Sequence, residues 1–207
     1  MKTLLIITGP QGSGNHLFSK VFAATEGVYG WKELNDTYWI PHDKEPFAEA
    51  WHNPLLLKDI EFGNYGVTSI SCPYVYHGNT VTPDYDKFID TARNLGYEVK
   101  LAIIGRDKNV LQYQQERVRG THSFKHFDDM LPKLCLRNPV FLSTELLYLY
   151  KMDYVRSLIT QLNFPIYITE EKLEEILAKD PNSKYFQPAE EQPLDAYVRT
   201  LSGINNI

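Results

Sequence analysis

The chain has 207 residues, 43% of them hydrophobic and 23% charged. That is enough for one α/β domain with a sizeable core, and it excludes a disordered or low-complexity chain. Twenty-one Lys and Arg stand against 26 Asp and Glu, a net charge of −5. This argues against non-specific coating of nucleic acid, and no apolar run reaches the length of a membrane span.

The opening MKTLLIITG carries a charge and an apolar stretch, as a signal peptide does. The apolar part is short, however, and GPQGSG stands where a small-residue cleavage site belongs. The expectation is a soluble, cytoplasmic protein with no membrane partner. Cys72 and Cys135 make neither a disulfide framework nor a metal-ligand cluster, and both are expected to be buried thiols.

In chain order, residues 3–8 (TLLIIT) form a short continuous apolar run, as a strand buried on both faces does. Residues 15–25 follow as a helix with Leu17, Phe18, Val21 and Phe22 on one stripe. Residues 26–64 are an aromatic-rich insertion with Tyr29, Trp31, Tyr38, Trp39, Phe47 and Trp51. Residues 66–71 read as a strand stopped by Pro73, 85–95 as a helix closed near Gly96, and 97–104 as a third strand. A helix over 108–119, a short strand over 140–142 and a long helix from about 144 to 162 come next. Residues 165–168 are expected to be a last strand. Thr169 caps a helix through 178, with Glu170 and Glu171 where the helix dipole favours acids. Residues 180–207 are a C-terminal tail, expected to wrap the surface and to hold one short helix over 194–201. Strands separated by helices imply one α/β domain over 1–207: three layers, with a mainly parallel sheet of about five strands.

Residues 100–125 carry six basic side chains against two acids, while 170–195 carry eight acids against three lysines. A basic segment in an acidic chain suggests a seat for a compact anion, or a solvated helix face.

The strongest motif is Gly9-Pro10-Gln11-Gly12-Ser13-Gly14-Asn15-His16, set between a buried strand and an amphipathic helix. Its glycines let the backbone turn tightly and aim successive N–H groups at one point, to which the helix adds its positive end. Such a loop seats phosphate or sulfate, or it only lets helix and sheet pack closely. The Gly9-to-Gly14 spacing is that of a P-loop, G-x-x-x-x-G. The Lys and Ser/Thr that follow in nucleotide hydrolases, for phosphate and magnesium, are here Asn15 and His16.

The string from Thr8 to Leu17 resembles the first motif of the sulfotransferases. Ser13, Gly14 and Asn15 match it, and Gly12 replaces the basic residue usual there. The resemblance implies a P-loop fold whose loop (Gly9, Pro10, Gln11, Gly12, Ser13, Gly14, Asn15, His16) seats the 5′-phosphosulfate of 3′-phosphoadenosine 5′-phosphosulfate. Arg106, after the third strand, is similar to the arginine of that family's second motif, which holds the 3′-phosphate. The family's following Pro is Lys108 here, and Tyr113 and Gln114 occupy the region of its Ser. Residues 140–147 with 162–165 look like the family's late strand and helix. In all, the resemblance spans about residues 2–165. It implies sulfuryl transfer to a hydroxyl acceptor, a sugar or nucleobase being candidates. The Trp and Tyr faces of residues 31–51 either stack on that acceptor or, the reading favoured here, form a satellite core under a long connection. The family's histidine base would fall near Ser71-Cys72-Pro73, where there is no His. His77 is the nearest imidazole, and His16, His52, Asp84 and Glu33 are further candidates. A rival resemblance is to small nucleotide kinases using ATP with magnesium, in which Arg117 and Arg119 would sit on a lid helix. A binding protein that has lost catalysis is a third reading.

Overall fold

The computed structural model describes residues 1–31, 44–121 and 123–180. Glu33, Tyr38, Trp39 and the expected tail helix over 194–201 lie outside the described residues, as does the side chain of Arg119.

In order the elements are β1 (Thr3–Pro10), α1 (Asn15–Ala23), β2 (Val28–Tyr29), α2 (Ala48–His52), a 3-10 turn (Pro54–Asp59) and β3 (Tyr65–Cys72). A hairpin of β4 (Tyr74–Tyr76) and β5 (Asn79–Val81) follows. Then come α3 (Tyr85–Asn94), β6 (Glu98–Gly105), α4 (Lys108–Arg119), α5 (Phe124–Cys135), β7 (Val140–Ser143), α6 (Thr144–Leu162) and α7 (Glu170–Lys179). The main sheet is five-stranded in the order β2-β3-β1-β6-β7, and every pair in it is parallel. The three-layer α/β expectation is met.

The continuous apolar run of β1 has its cause here, because the strand is central and covered on both faces. Leu5 and Ile7 meet Leu17, Phe18, Val21 and Phe22 of α1 together with α6 and α7. Leu4 and Ile6 meet the opposite core, built from Trp51, Phe88, Ile89 and Phe127. Trp51 stacks on Phe88 with ring centroids 3.8 Å apart, and its indole N–H donates to Thr68 Oγ1 at 2.9 Å. That part of the aromatic insertion is therefore core.

Three expectations change. Residues 165–168 are not a strand. Phe164 and Ile166 are buried at alternate positions, as in a strand, but Pro165 has no N–H, and the Tyr167 N–H donates to the Thr25 hydroxyl at 2.9 Å instead of to a ladder. The fifth strand is the two-residue β2, which pairs with Tyr65 and Gly66. Residues 74–81, to which the sequence pattern assigns neither strand nor helix, form a hairpin. Its two-residue turn is His77-Gly78, with φ of 46° and 81°, the doubly positive pattern that matches strand twist. Cys72 is buried as expected, but Cys135 is exposed at the last turn of α5.

The registers Gly9↔Ser71, Thr8↔Ile103 and Gly105↔Ser143 bring the carboxyl ends of β1, β3, β6 and β7 to one edge. In open α/β sheets ligands bind outside this edge.

Candidate functional site

The chain leaves β1 at Pro10, turns through residues 11–14 and enters α1 at Asn15. Gly12 has φ 85° and Gly14 φ 110°, values that L side chains rarely adopt. A Cβ on Gly14 would stand 2.8 Å from Thr144 Oγ1, and one on Gly9 2.5 Å from Ser13 Oγ.

Three successive carbonyls of the turn are held from behind. The Gln11 carbonyl accepts from Gln115 Nε2 at 2.6 Å, that of Gly12 from Arg106 Nη1 at 2.5 Å, and that of Ser13 from Thr144 Oγ1 at 2.5 Å. A trans peptide carries its N–H opposite its C=O, so these ties turn the N–H groups of Gly12 and Gly14 to the other side. The Ser13 N–H closes the turn on the Pro10 carbonyl at 3.1 Å. The first N–H groups of α1 add the helix's positive end. N–H groups freed in this way are the kind of donor that receives an anion.

Arg106 lies under this loop. Its buried guanidinium also donates to Gln114 Oε1 at 2.9 Å, and its Nε stands 4.0 Å from Glu145 Oε1. Glu145 accepts in turn from the Asp107 N–H and the Ser143 hydroxyl. Asp107 caps α4 through Asn109 and Val110. Arg106 and Gln114 are thus joined to Gly12, but through the carbonyl side of the turn.

Asn15 is buried and donates through Nδ2 to Ser71 Oγ at 3.0 Å, tying the start of α1 to the end of β3. The His16 ring packs on buried Trp31 with centroids 4.8 Å apart, which brings one aromatic of the insertion to the loop. Lys20 is buried further along α1. Desolvation lowers its pKa against the opposing pull of the Asp180 carboxylate, which itself accepts from Tyr148 OH at 2.6 Å.

The remaining candidates lie as follows. His77 is exposed in the hairpin turn with its ring 4.1 Å from Tyr76, and His52 stacks on the same Tyr76 at 4.5 Å. Asp84 caps α3 by accepting from the Lys87 N–H at 3.0 Å. Arg117 is exposed on α4, one turn beyond Gln114. Sequence reasoning missed Gln115, Thr144 and Ser71, whose contacts with the loop segment span 56 to 131 residues of chain.

Among the described residues no three His, Cys, Asp or Glu side chains gather as a metal-ligand group, and no helix is long and apolar enough to cross a membrane. The chain matches no protein-family model and no curated protein sequence.

Proposed function

We propose that the loop over residues 9–16 seats the 5′-phosphosulfate of 3′-phosphoadenosine 5′-phosphosulfate, and that the protein is a sulfotransferase-like enzyme. The acceptor's hydroxyl oxygen would attack sulfur in line, the sulfur–oxygen bond to phosphate would break, and 3′,5′-diphosphoadenosine would leave. The acceptor's proton would pass to a base, for which His16 and His77 are the candidates. The observation that supports this reading best is the run of three tied carbonyls at Gln11, Gly12 and Ser13; the planar trans peptide would then leave the N–H groups of Gly12 and Gly14 to the ligand.

A kinase using ATP with magnesium is the rival, favoured by exposed Arg117 standing one turn from Gln114 on α4, whose Gln115 holds the Gln11 carbonyl. The residues fit magnesium poorly. The lysine and hydroxyl positions hold Asn15, turned to Ser71, and His16, packed on Trp31.

Thermal melting with 3′,5′-diphosphoadenosine, without magnesium, tests the reading. A ligand at one hundred times its Kd stabilises by about 2.7 kcal/mol, which for a chain of this size raises Tm by about 5–11 °C. A rise with magnesium-ATP alone would establish the kinase reading. No rise with either ligand would leave a turn that serves helix–sheet packing.

A further inference from the structure

The first half of α6 carries an apolar face that is open among the described residues. Leu146, Leu149 and Tyr150 are 39%, 70% and 59% exposed. Their spacing of i, i+3 and i+4 puts them on one face of the helix. A single exposed apolar residue is ordinary, but a helix face of three marks a contact surface. The face ends at Lys151, whose φ of 44° and ψ of −117° break the helix. A cleft of about 300 Å³ opens there, lined by Leu149, Tyr150 and Met152 together with Lys151, Arg156 and Glu170.

The described chain ends beside this face. Lys151 Nζ donates to Glu174 Oε1 at 2.6 Å and Tyr148 OH to Asp180 Oδ2 at 2.6 Å, so α7 runs back along α6. Asp180, the last described residue, is therefore held at Tyr148, within one helical turn of Leu146, Leu149 and Tyr150. Thirteen residues, 181–193, separate Asp180 from Leu194. Fully extended they span about 43 Å, whereas one turn of α6 rises about 5.4 Å. Reach is no obstacle. Pro181, Pro188 and Pro193 narrow the connector's freedom, which lowers the entropy lost on docking.

The sequence over 194–201 has the complementary pattern. Leu194, Tyr197, Val198 and Leu201 recur at i, i+3, i+4 and i+7, an apolar stripe, with Asp195 and Arg199 beside it. An amphipathic helix of this kind lays its stripe into an apolar groove. The cleft offers Arg156 and Glu170 to the segment's two charges.

We propose that residues 194–201 dock on α6, with their apolar stripe against Leu146, Leu149 and Tyr150 and into the cleft at Lys151. The tether holds this segment at an effective concentration on the order of millimolar, which favours it over a second copy of the chain. The docking does not depend on what the glycine loop holds.

Hydrogen exchange of the full chain, read by mass spectrometry, tests this. Amides of 194–201 should exchange about tenfold more slowly in wild type than in Leu149→Asp. Tyr197→Asp, made in the segment itself, should lose the same protection, and Leu149→Met should keep it. Circular dichroism checks that each variant is folded. Rates over 194–201 that are equal in wild type and Leu149→Asp would overturn the docking. Protection that grows with protein concentration, beside a dimer in sedimentation that Leu149→Asp dissolves, would overturn it too and give the face to a second copy.

Discussion

Replacing Arg106 separates two roles that a loop arginine can have. In the structure Nη1 reaches both the Gly12 carbonyl and Gln114, and the side chain is wholly buried. Arg106→Ala removes the charged donor from Gly12 and leaves that carbonyl and Gln114 without it, beneath the loop. A hydrogen bond to a charged group is worth about 1.5–3 kcal/mol, and breaking a buried charged arrangement costs about 3–5 kcal/mol. Glu145, the ionic neighbour, is one-third exposed and 4.0 Å away, so the lower figure applies. A loss of about 2–3 kcal/mol should lower the Tm of the ligand-free protein by roughly 4–12 °C. Arg106→Lys should recover little, since an ammonium does not reproduce the planar fork. The assay is a melt of both variants without ligand, beside calorimetric titration with 3′,5′-diphosphoadenosine. Unchanged ligand-free stability in Arg106→Ala, with affinity lost, would refute the supporting role and make Arg106 a clamp that faces the ligand.

Gly14→Ala should destabilise by about 1–3 kcal/mol, because it combines φ 110° with a Cβ placed 2.8 Å from Thr144 Oγ1; denaturant unfolding measures this, and a stabilised variant would contradict the loop geometry. A thiol reagent at pH 8 should label Cys135 and spare Cys72 in native protein, since Cys135 is exposed and burial pushes the Cys72 pKa up to about 11; two fast thiols would contradict it. With the folded pKa above the unfolded 9.0, Cys72 adds stability that is present below pH 9 and lost as pH rises towards 11. Cys72→Ala should flatten that part of the stability profile relative to wild type.

What was legible in the sequence is what local pattern encodes. The loop from Gly9 to His16 announces itself through glycine spacing, and β1 and α1 through the change from a continuous apolar run to an apolar stripe. Residues 165–168 misled because Phe164 and Ile166 alternate like a strand while the one N–H that matters goes to Thr25. The two-residue β2 is too short for any periodicity to show. The hairpin could have been found, since Tyr74-Val75-Tyr76 and Asn79-Thr80-Val81 flank a His-Gly pair suited to a tight turn. The loop's ties could not, because Gln115, Thr144 and Ser71 meet it only once the sheet has set β3 and β6 beside β1, and β7 beside β6. The Arg106 position was legible, but the side of the loop it serves was not.

These ties bear on what the loop does. A glycine turn of this kind has wide conformational freedom in isolation, and an anion binding to it would bear the entropy of ordering it. Here Gln115 and Arg106 hold it from the α4 side, Thr144 holds it from the start of α6, and Asn15 fixes the first turn of α1 to β3. The constraint comes from three different helices, α1, α4 and α6, so no single one of them can shift the loop without straining the others. A lysine-free loop lacks the charge that usually compensates for disorder. If the loop seats an anion as proposed, fixing its donors in advance would lower the entropic cost of binding and leave more of each hydrogen bond as net affinity.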